Sequence, residues 1–200
     1  MLAVMMNQMR CTMLAFFFSV PWVLGQSSFA EFPFGQGSSI SPDGSFTLKI
    51  KVCQPNQGDC DKRLWLVNNR TNIKKVLIEV QRTALVGWGP SGSAFFLNDD
   101  FGSNGSSADM YFPAEGRHFN INELLDKQFP QDRRFEENSH HYIKGVRWIS
   151  ADKLLVRRNG HFDRNVPAGN EFSVCYSVSS TGRATRISET HHENSPCKIP

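Results

Sequence analysis

Ser41-Pro42-Asp43-Gly44-Ser45 and the run that follows it, Phe46-Thr47-Leu48-Lys49-Ile50-Lys51-Val52, decide the fold. Pro presets φ for the second position of a turn, Asp bonds its own backbone, and Gly accepts a positive φ that other residues resist. The run behind the turn alternates apolar and polar residues strictly, the mark of a strand with one buried face. The same grammar recurs outward from this point. Leu64-Trp65-Leu66-Val67 ends at Asn68-Asn69, and Val76-Leu77-Ile78-Glu79-Val80, Ala94-Phe95-Phe96-Leu97 and Met110-Tyr111-Phe112 follow. Leu154-Leu155-Val156 and Phe172-Ser173-Val174-Cys175-Tyr176-Ser177-Val178 complete the series. Only residues 120–128 read as helix: Ile121, Leu124, Leu125 and Gln128 fall at helical spacing, Asn120 can cap, and Pro130 stops the element. The expectation is an all-β chain with one short inserted helix.

Length and composition agree with a folded chain. The 200 residues are 40% hydrophobic and 20% charged, with 16 Phe, which excludes wholesale disorder and fibrous repeats. A net charge of +3 demands no basic face of the kind a nucleic-acid binder shows, so no nucleic-acid partner is expected. Residues 1–25 carry one charge, Arg10, and residues 11–25 carry none. That run is short for a membrane span, which needs about 20 apolar residues. It fits a secretory signal cleaved after Val23-Leu24-Gly25, leaving no stable membrane span. An uncleaved anchor is the alternative. A lipoprotein is excluded because Met9-Arg10 precede Cys11, and Met9 itself would make a better start than Met1. Residues 26–39, rich in Ser, Gly and Phe, read as a lead-in to a single β domain over 40–188, and 189–200 as a polar tail. Export to the periplasm or the exterior is the expected localisation.

The cysteines point the same way. Removing the signal takes Cys11 and leaves Cys53, Cys60, Cys175 and Cys197, an even number suited to an oxidising compartment. Four cysteines allow three pairings. Cys53 and Cys60 bracket the turn formers Gln54 to Asp59, so Cys53–Cys60 is the expected local clasp. Cys175–Cys197 then tethers the tail. Zinc needs close Cys pairs, and none occur.

Three stretches begin similar units: Ser41-Pro42-Asp43-Gly44-Ser45, Trp88-Gly89-Pro90-Ser91-Gly92-Ser93 and Trp148-Ile149-Ser150-Ala151-Asp152-Lys153. Each is followed by an aromatic-bearing strand, around Trp65, Tyr111 and Tyr176. These residues resemble the TolB-type β-propeller repeat, in which an aromatic precedes Ser-Pro-Asp-Gly and an apolar strand. The resemblance covers roughly residues 40–187. It implies three blade-like units of antiparallel meander, starting near Ser41, Trp88 and Trp148, with the helix inserted between the second and third. A closed propeller needs at least four blades. The expected architecture is therefore a propeller-like meander, a partial propeller, or a β-sandwich of similar hairpins. Trp65, Trp88 and Trp148 are expected to be core anchors.

Candidate chemistry is sparse. Residues 98–109 pack Asp99, Asp100 and Asp109 with two Asn and two Gly, read as a polar loop between strands whose oxygens suit Ca²⁺ or another divalent cation. Gly102 and Tyr111 stand where an EF-hand loop starting at Asp100 needs ligands. His161 and Asp163 would share a strand face and form a usable ligand pair. The pairs His140-His141 and His191-His192 each offer one face a single ligand. Asp100-Phe101-Gly102 has no accompanying kinase loops, and Gly89-Pro90-Ser91-Gly92 lacks the spacing of a hydrolase elbow. The basic doublets Lys74-Lys75, Arg133-Arg134 and Arg157-Arg158 are scattered as solubility charges are. No cofactor is demanded. The expected function is non-catalytic binding of a protein or glycan. The alternative is a secreted hydrolase or metal-dependent enzyme with a loop-built Asp/His site.

Overall fold

The computed structural model describes residues 29–32, 37–50, 62–102, 105–135, 139–162, 171–190 and 196–197. The chain is mostly strand with one short helix, and its strand pairs are antiparallel with a single exception. The first meander runs β2 (Ser38–Ile40), β3 (Phe46–Ile50), β4 (Arg63–Asn68) and β5 (Lys74–Glu79) in sequence order. The second runs β6 (Thr83–Trp88), β7 (Phe95–Asp100), β8 (Gly105–Phe112) and β9 (Arg117–Asn120). The third runs β10 (Ser139–Ser150), β11 (Lys153–Phe162), β12 (Glu171–Ser179) and β13 (Ala184–Thr190). A short parallel contact, His141 and Tyr142 against Gly105 and Ser106, joins the second meander to the third.

Residues 26–39 hold more than a lead-in. Phe29–Phe32 form β1, which pairs with β6, and Phe32 is fully buried. Its alternation, with Ala30 and Phe32 inward, is short, and only the waiting edge of β6 makes it a strand. Residues 98–109 are likewise mostly strand. The ladder of β7 extends to Asp100 and that of β8 starts at Gly105. Asn98 is buried, and its side-chain amide donates to Gly145 O at 2.9 Å and accepts from Gly145 N at 2.7 Å. A polar side chain thus serves as a core bridge between the second and third meanders, since both its groups are satisfied.

Each face of the second meander is buried against a different neighbour. Phe95, Leu97 and Tyr111 join Phe46, Leu48, Ile50 and Leu64 in one core. Ala94, Phe96, Met110 and Phe112 join Trp148, Leu154, Val156, Phe172, Val174 and Tyr176 in the other. Successive residues of a strand point to opposite faces, so a strand buried on both sides shows a continuous apolar run. Ala94-Phe95-Phe96-Leu97 is such a run. Three meanders therefore stack face on face, the second in the middle. The helix α1 (Ile121–Gln128) follows β9 and packs Ile121 and Leu125 into the second core. Asn120 caps it, accepting from Glu123 N at 3.0 Å.

The first two unit starts share one backbone hydrogen-bond pattern. Gly44 N donates to Ser41 O at 2.8 Å and Ser41 N to Phe46 O at 2.9 Å. Gly92 N donates to Gly89 O at 2.9 Å and Gly89 N to Ala94 O at 2.8 Å. Gly44 and Gly92 hold φ of 73° and 75°. In the third unit the turn is tighter and lacks Gly, yet Ser150 Oγ donates to Asp152 Oδ1 at 2.6 Å, as Ser41 Oγ does to Asp43 Oδ1 at 2.6 Å. Those bonds, Ser41 first and then Ser45, hold the Asp43 carboxyl below its ordinary range. Trp88 Nε1 donates to Ser39 Oγ in the preceding meander at 3.1 Å, and Trp148 Nε1 donates to Gly87 O in its own preceding meander at 2.9 Å. Both indoles thus anchor one unit to the unit before it.

The matching turns put Ile40, Thr47 and Lys49 where the second unit has Trp88, Phe95 and Leu97. Those three are fully buried, whereas Ile40 is 59% exposed and Lys49 is exposed. The first unit has no preceding described sheet to cover this face, and its residues at 47 and 49 are polar, as in the terminal unit of a repeat stack.

Trp65 departs from the expectation. It is only partly buried, on the outer face of β4, with the Arg63 guanidinium 5.3 Å from its ring centre. The unbroken apolar run Leu64-Trp65-Leu66-Val67 cannot say which of two strand faces meets a neighbour; here Leu64 and Leu66 face the core shared with the second meander, and Val67, on the side of Trp65, is buried as well.

Cys175 and Cys197 form a disulfide with Cα atoms 5.7 Å apart, across a separation of 22 residues. Cys53 and Cys60 lie outside the described residues. Replacing Cys197 with Ser should lower unfolding free energy by about 3 kcal/mol on loop-entropy grounds. Urea denaturation of the oxidised protein checks this. An unchanged midpoint would mean that the crosslink constrains nothing.

Candidate binding face

Strand alternation separates the acids that the sequence groups together. Asp99 and Asp100 point to opposite faces of β7. Asp100 is held by Lys144 at 3.1 Å, in the space between the second and third meanders. Asp99 lies on the other face, where Leu97 is opposite Asp109 and Asp99 opposite Ser107. Burial first, then the charges of Asp100 and Asp109, raises the Asp99 carboxyl above the usual range. Burial likewise raises Asp109, against a bond from Asn120 Nδ2 at 3.3 Å. Burial and then these two carboxylates push the Tyr111 phenol up. Its ring stacks on His118 with centres 5.1 Å apart. His161 stacks on His140 at 4.8 Å across the β10–β11 pair. Asp163 lies outside the described residues. Among the described residues no three His, Cys, Asp or Glu side chains converge on one point that could hold a metal.

The raised Asp99 has a consequence for stability. A carboxyl whose folded pKa exceeds its unfolded value favours the fold most when protonated, below about pH 4. That contribution is lost as pH rises through the folded pKa. Asp99 Oδ1 is buried without a hydrogen-bond partner, so little is lost with the charge. Asp99→Asn should therefore be more stable than the parent at neutral pH, and the difference should vanish below about pH 4. Urea midpoints at the two pH values read this. A variant weaker than the parent at neutral pH would contradict the account.

The outer face of the first meander has a different character. Its register places Ser38, Lys49, Trp65 and Val76 in one row across four strands, and Ile40, Thr47, Val67 and Lys74 in the next. A shallow depression of about 330 Å³ is lined by Lys49, Ile50, Trp65 and Lys74. Val76 is 36% exposed, and Ile73, in the turn beside it, 69%. Neither Lys49 nor Lys74 meets a carboxylate among the described residues. An indole with the Arg63 guanidinium over its ring, bordered by two ammonium groups and exposed aliphatics, is thus presented on a rigid sheet. Strict alternation already sends Lys49 outward, opposite Leu48. What it lacks is register, which alone brings Lys49 beside Trp65 and Lys74 beside Val67.

The opposite end of the stack is polar. There a concavity of about 320 Å³ is lined by Lys153, Ser177, Ser179, Thr181, Arg183 and Thr185. Both depressions are lined by cations, Lys49 and Lys74 in one and Lys153 and Arg183 in the other.

No protein-family description matches this chain, and no curated protein is similar to it. Among the described residues no helix is long and apolar enough to cross a membrane.

Proposed function

We propose that this chain is an exported, non-catalytic β protein that binds another macromolecule in the cell envelope or outside the cell. The observation that carries the reading is the face around Trp65, which no described sheet covers and where a partly buried aromatic, two cations with no carboxylate partner among the described residues and the exposed aliphatics Ile73 and Val76 share one rigid surface. Single exposed apolar residues are ordinary, but a grouped set on a sheet with no covering layer among the described residues is a binding signal. The Cys175–Cys197 bond supports an oxidising compartment. The stacked meanders, their repeated turns and the two inter-unit indole bonds support blade-like units of the TolB type, with the first and third as ends of an open stack.

The test is recovery of partners from the native extract with the full protein and with the Lys49→Glu/Lys74→Glu double variant. The charges sit on the surface, so the variant should fold as the parent does. A partner retained by the parent and lost by the variant is the expected result. Equal retention by both would place binding elsewhere and refute the role of this face.

A further inference from the structure

We infer that the Trp65 face binds an acidic polysaccharide, whose sugar rings stack on the indole while its carboxylate or sulfate groups meet Lys49 and Lys74. The inference rests on the binding role proposed above and names the class of ligand.

Size is the first argument. Strands lie about 4.8 Å apart and alternate residues on one face about 6.7 Å apart, so the two rows of four residues cover on the order of 200 Å². A stable protein interface needs about 800 Å² from each partner. Those eight positions alone match the footprint of a few sugar rings. Chemistry is the second argument. The apolar C–H face of a pyranose packs against the exposed part of the indole, beside the Arg63 guanidinium that adds a third positive charge, and a sheet displays Trp65 with its neighbours at fixed spacing. Trp65 and Val76 stand side by side in one row, so a ring on the indole continues onto an aliphatic surface. Charge is the third. Lys49 precedes Trp65 in that row, and Lys74 lies in the next row on the far strand. The two ammonium groups flank the indole diagonally. Their Cα atoms stand about 12 Å apart on sheet geometry, so one polymer can reach both only if it carries repeated negative charges. Such contacts release counterions and weaken with salt.

Tryptophan emission provides the readout. In the form cleaved after Gly25, which lacks Trp22, Trp88 and Trp148 are buried in the two cores, so a ligand-induced change reports on Trp65. The probes are polygalacturonate for carboxylates, dextran sulfate for sulfate esters, neutral dextran, and poly-glutamate for an acidic peptide. A saturable change with one or both acidic polysaccharides, weakened by sodium chloride and absent with dextran, is expected. The polysaccharide that binds more tightly identifies the acidic group. The Lys49→Ala/Lys74→Ala variant should lose at least tenfold in affinity. Trp65→Phe, measured by calorimetry, should lose less because it keeps a ring, and its thermal melt shows that the fold survives. Dextran binding as tightly as the acidic polymers would overturn the inference. So would poly-glutamate binding as tightly as the better polysaccharide, or an affinity unmoved in the lysine variant. No binding to any polysaccharide, with a protein partner still captured through Lys49 and Lys74, would overturn this inference and leave the binding role standing.

Discussion

Trp88→Ala should lower unfolding free energy by about 3–5 kcal/mol, the usual result of truncating a large aromatic in a close-packed core. Trp88 is fully buried, its ring centre lies 4.8 Å from that of Phe95, and it is packed with residues from both the first and the second meander. The indole also donates to Ser39 Oγ at 3.1 Å, the direct tie between the two units. Ser39→Ala isolates that bond. It leaves a buried N–H without a partner and should cost about 1–2 kcal/mol by itself. In the Trp88→Ala background the same change should cost almost nothing, because the donor has gone. Guanidinium denaturation of the four proteins closes the cycle. Additive losses would show that the indole and the hydroxyl do not interact, and the matching role of Trp148 on Gly87 would lose its parallel.

Gly92→Ala is expected to be nearly as damaging, for two separable reasons. A residue with a Cβ in the left-handed region costs roughly 1–2 kcal/mol. Gly92 also abuts the equivalent turn of the first unit: a Cβ there would sit 2.6 Å from Asp43 Oδ1 and 2.9 Å from Asp43 N. The backbone nitrogen cannot swing away, so overpacking adds about 1–3 kcal/mol. Gly44 is the internal control. Its φ of 73° matches, but nothing lies within 4 Å of its added Cβ. Gly44→Ala should therefore show only the backbone cost. A difference of more than about 1 kcal/mol between the two variants is the expected outcome. Equal losses would mean that the two turns do not pack on each other.

How much of this was legible beforehand follows from the range of each signal. Pro-Asp-Gly and Gly-Pro-Ser-Gly specify their turns within a few residues, because φ and side-chain-to-backbone bonds are local. Asn120 and Pro130 bound the helix for the same reason. The strand of Phe46–Ile50 declares itself through a period of two. The segment Phe29–Phe32 did not, since four residues carry little periodicity and their partner β6 is more than fifty residues away. Asn98 read as part of a polar loop because its two bonds to Gly145 come from another meander.

The candidate site divides along the same line. The sequence by itself determined most of the strands, the Pro-Asp-Gly and Gly-Pro-Ser-Gly turns, the single helix and the outward placement of Lys49. Only the tertiary structure decided that Trp65, unlike the expected core anchors Trp88 and Trp148, faces out, that Asp99 and Asp100 part company, and that Lys49, Trp65 and Lys74 meet. The physical reason is that alternation defines two faces of a strand without naming which one finds a neighbour. That assignment waits for register and for the order in which sheets stack, both of which rest on contacts between residues far apart in the chain.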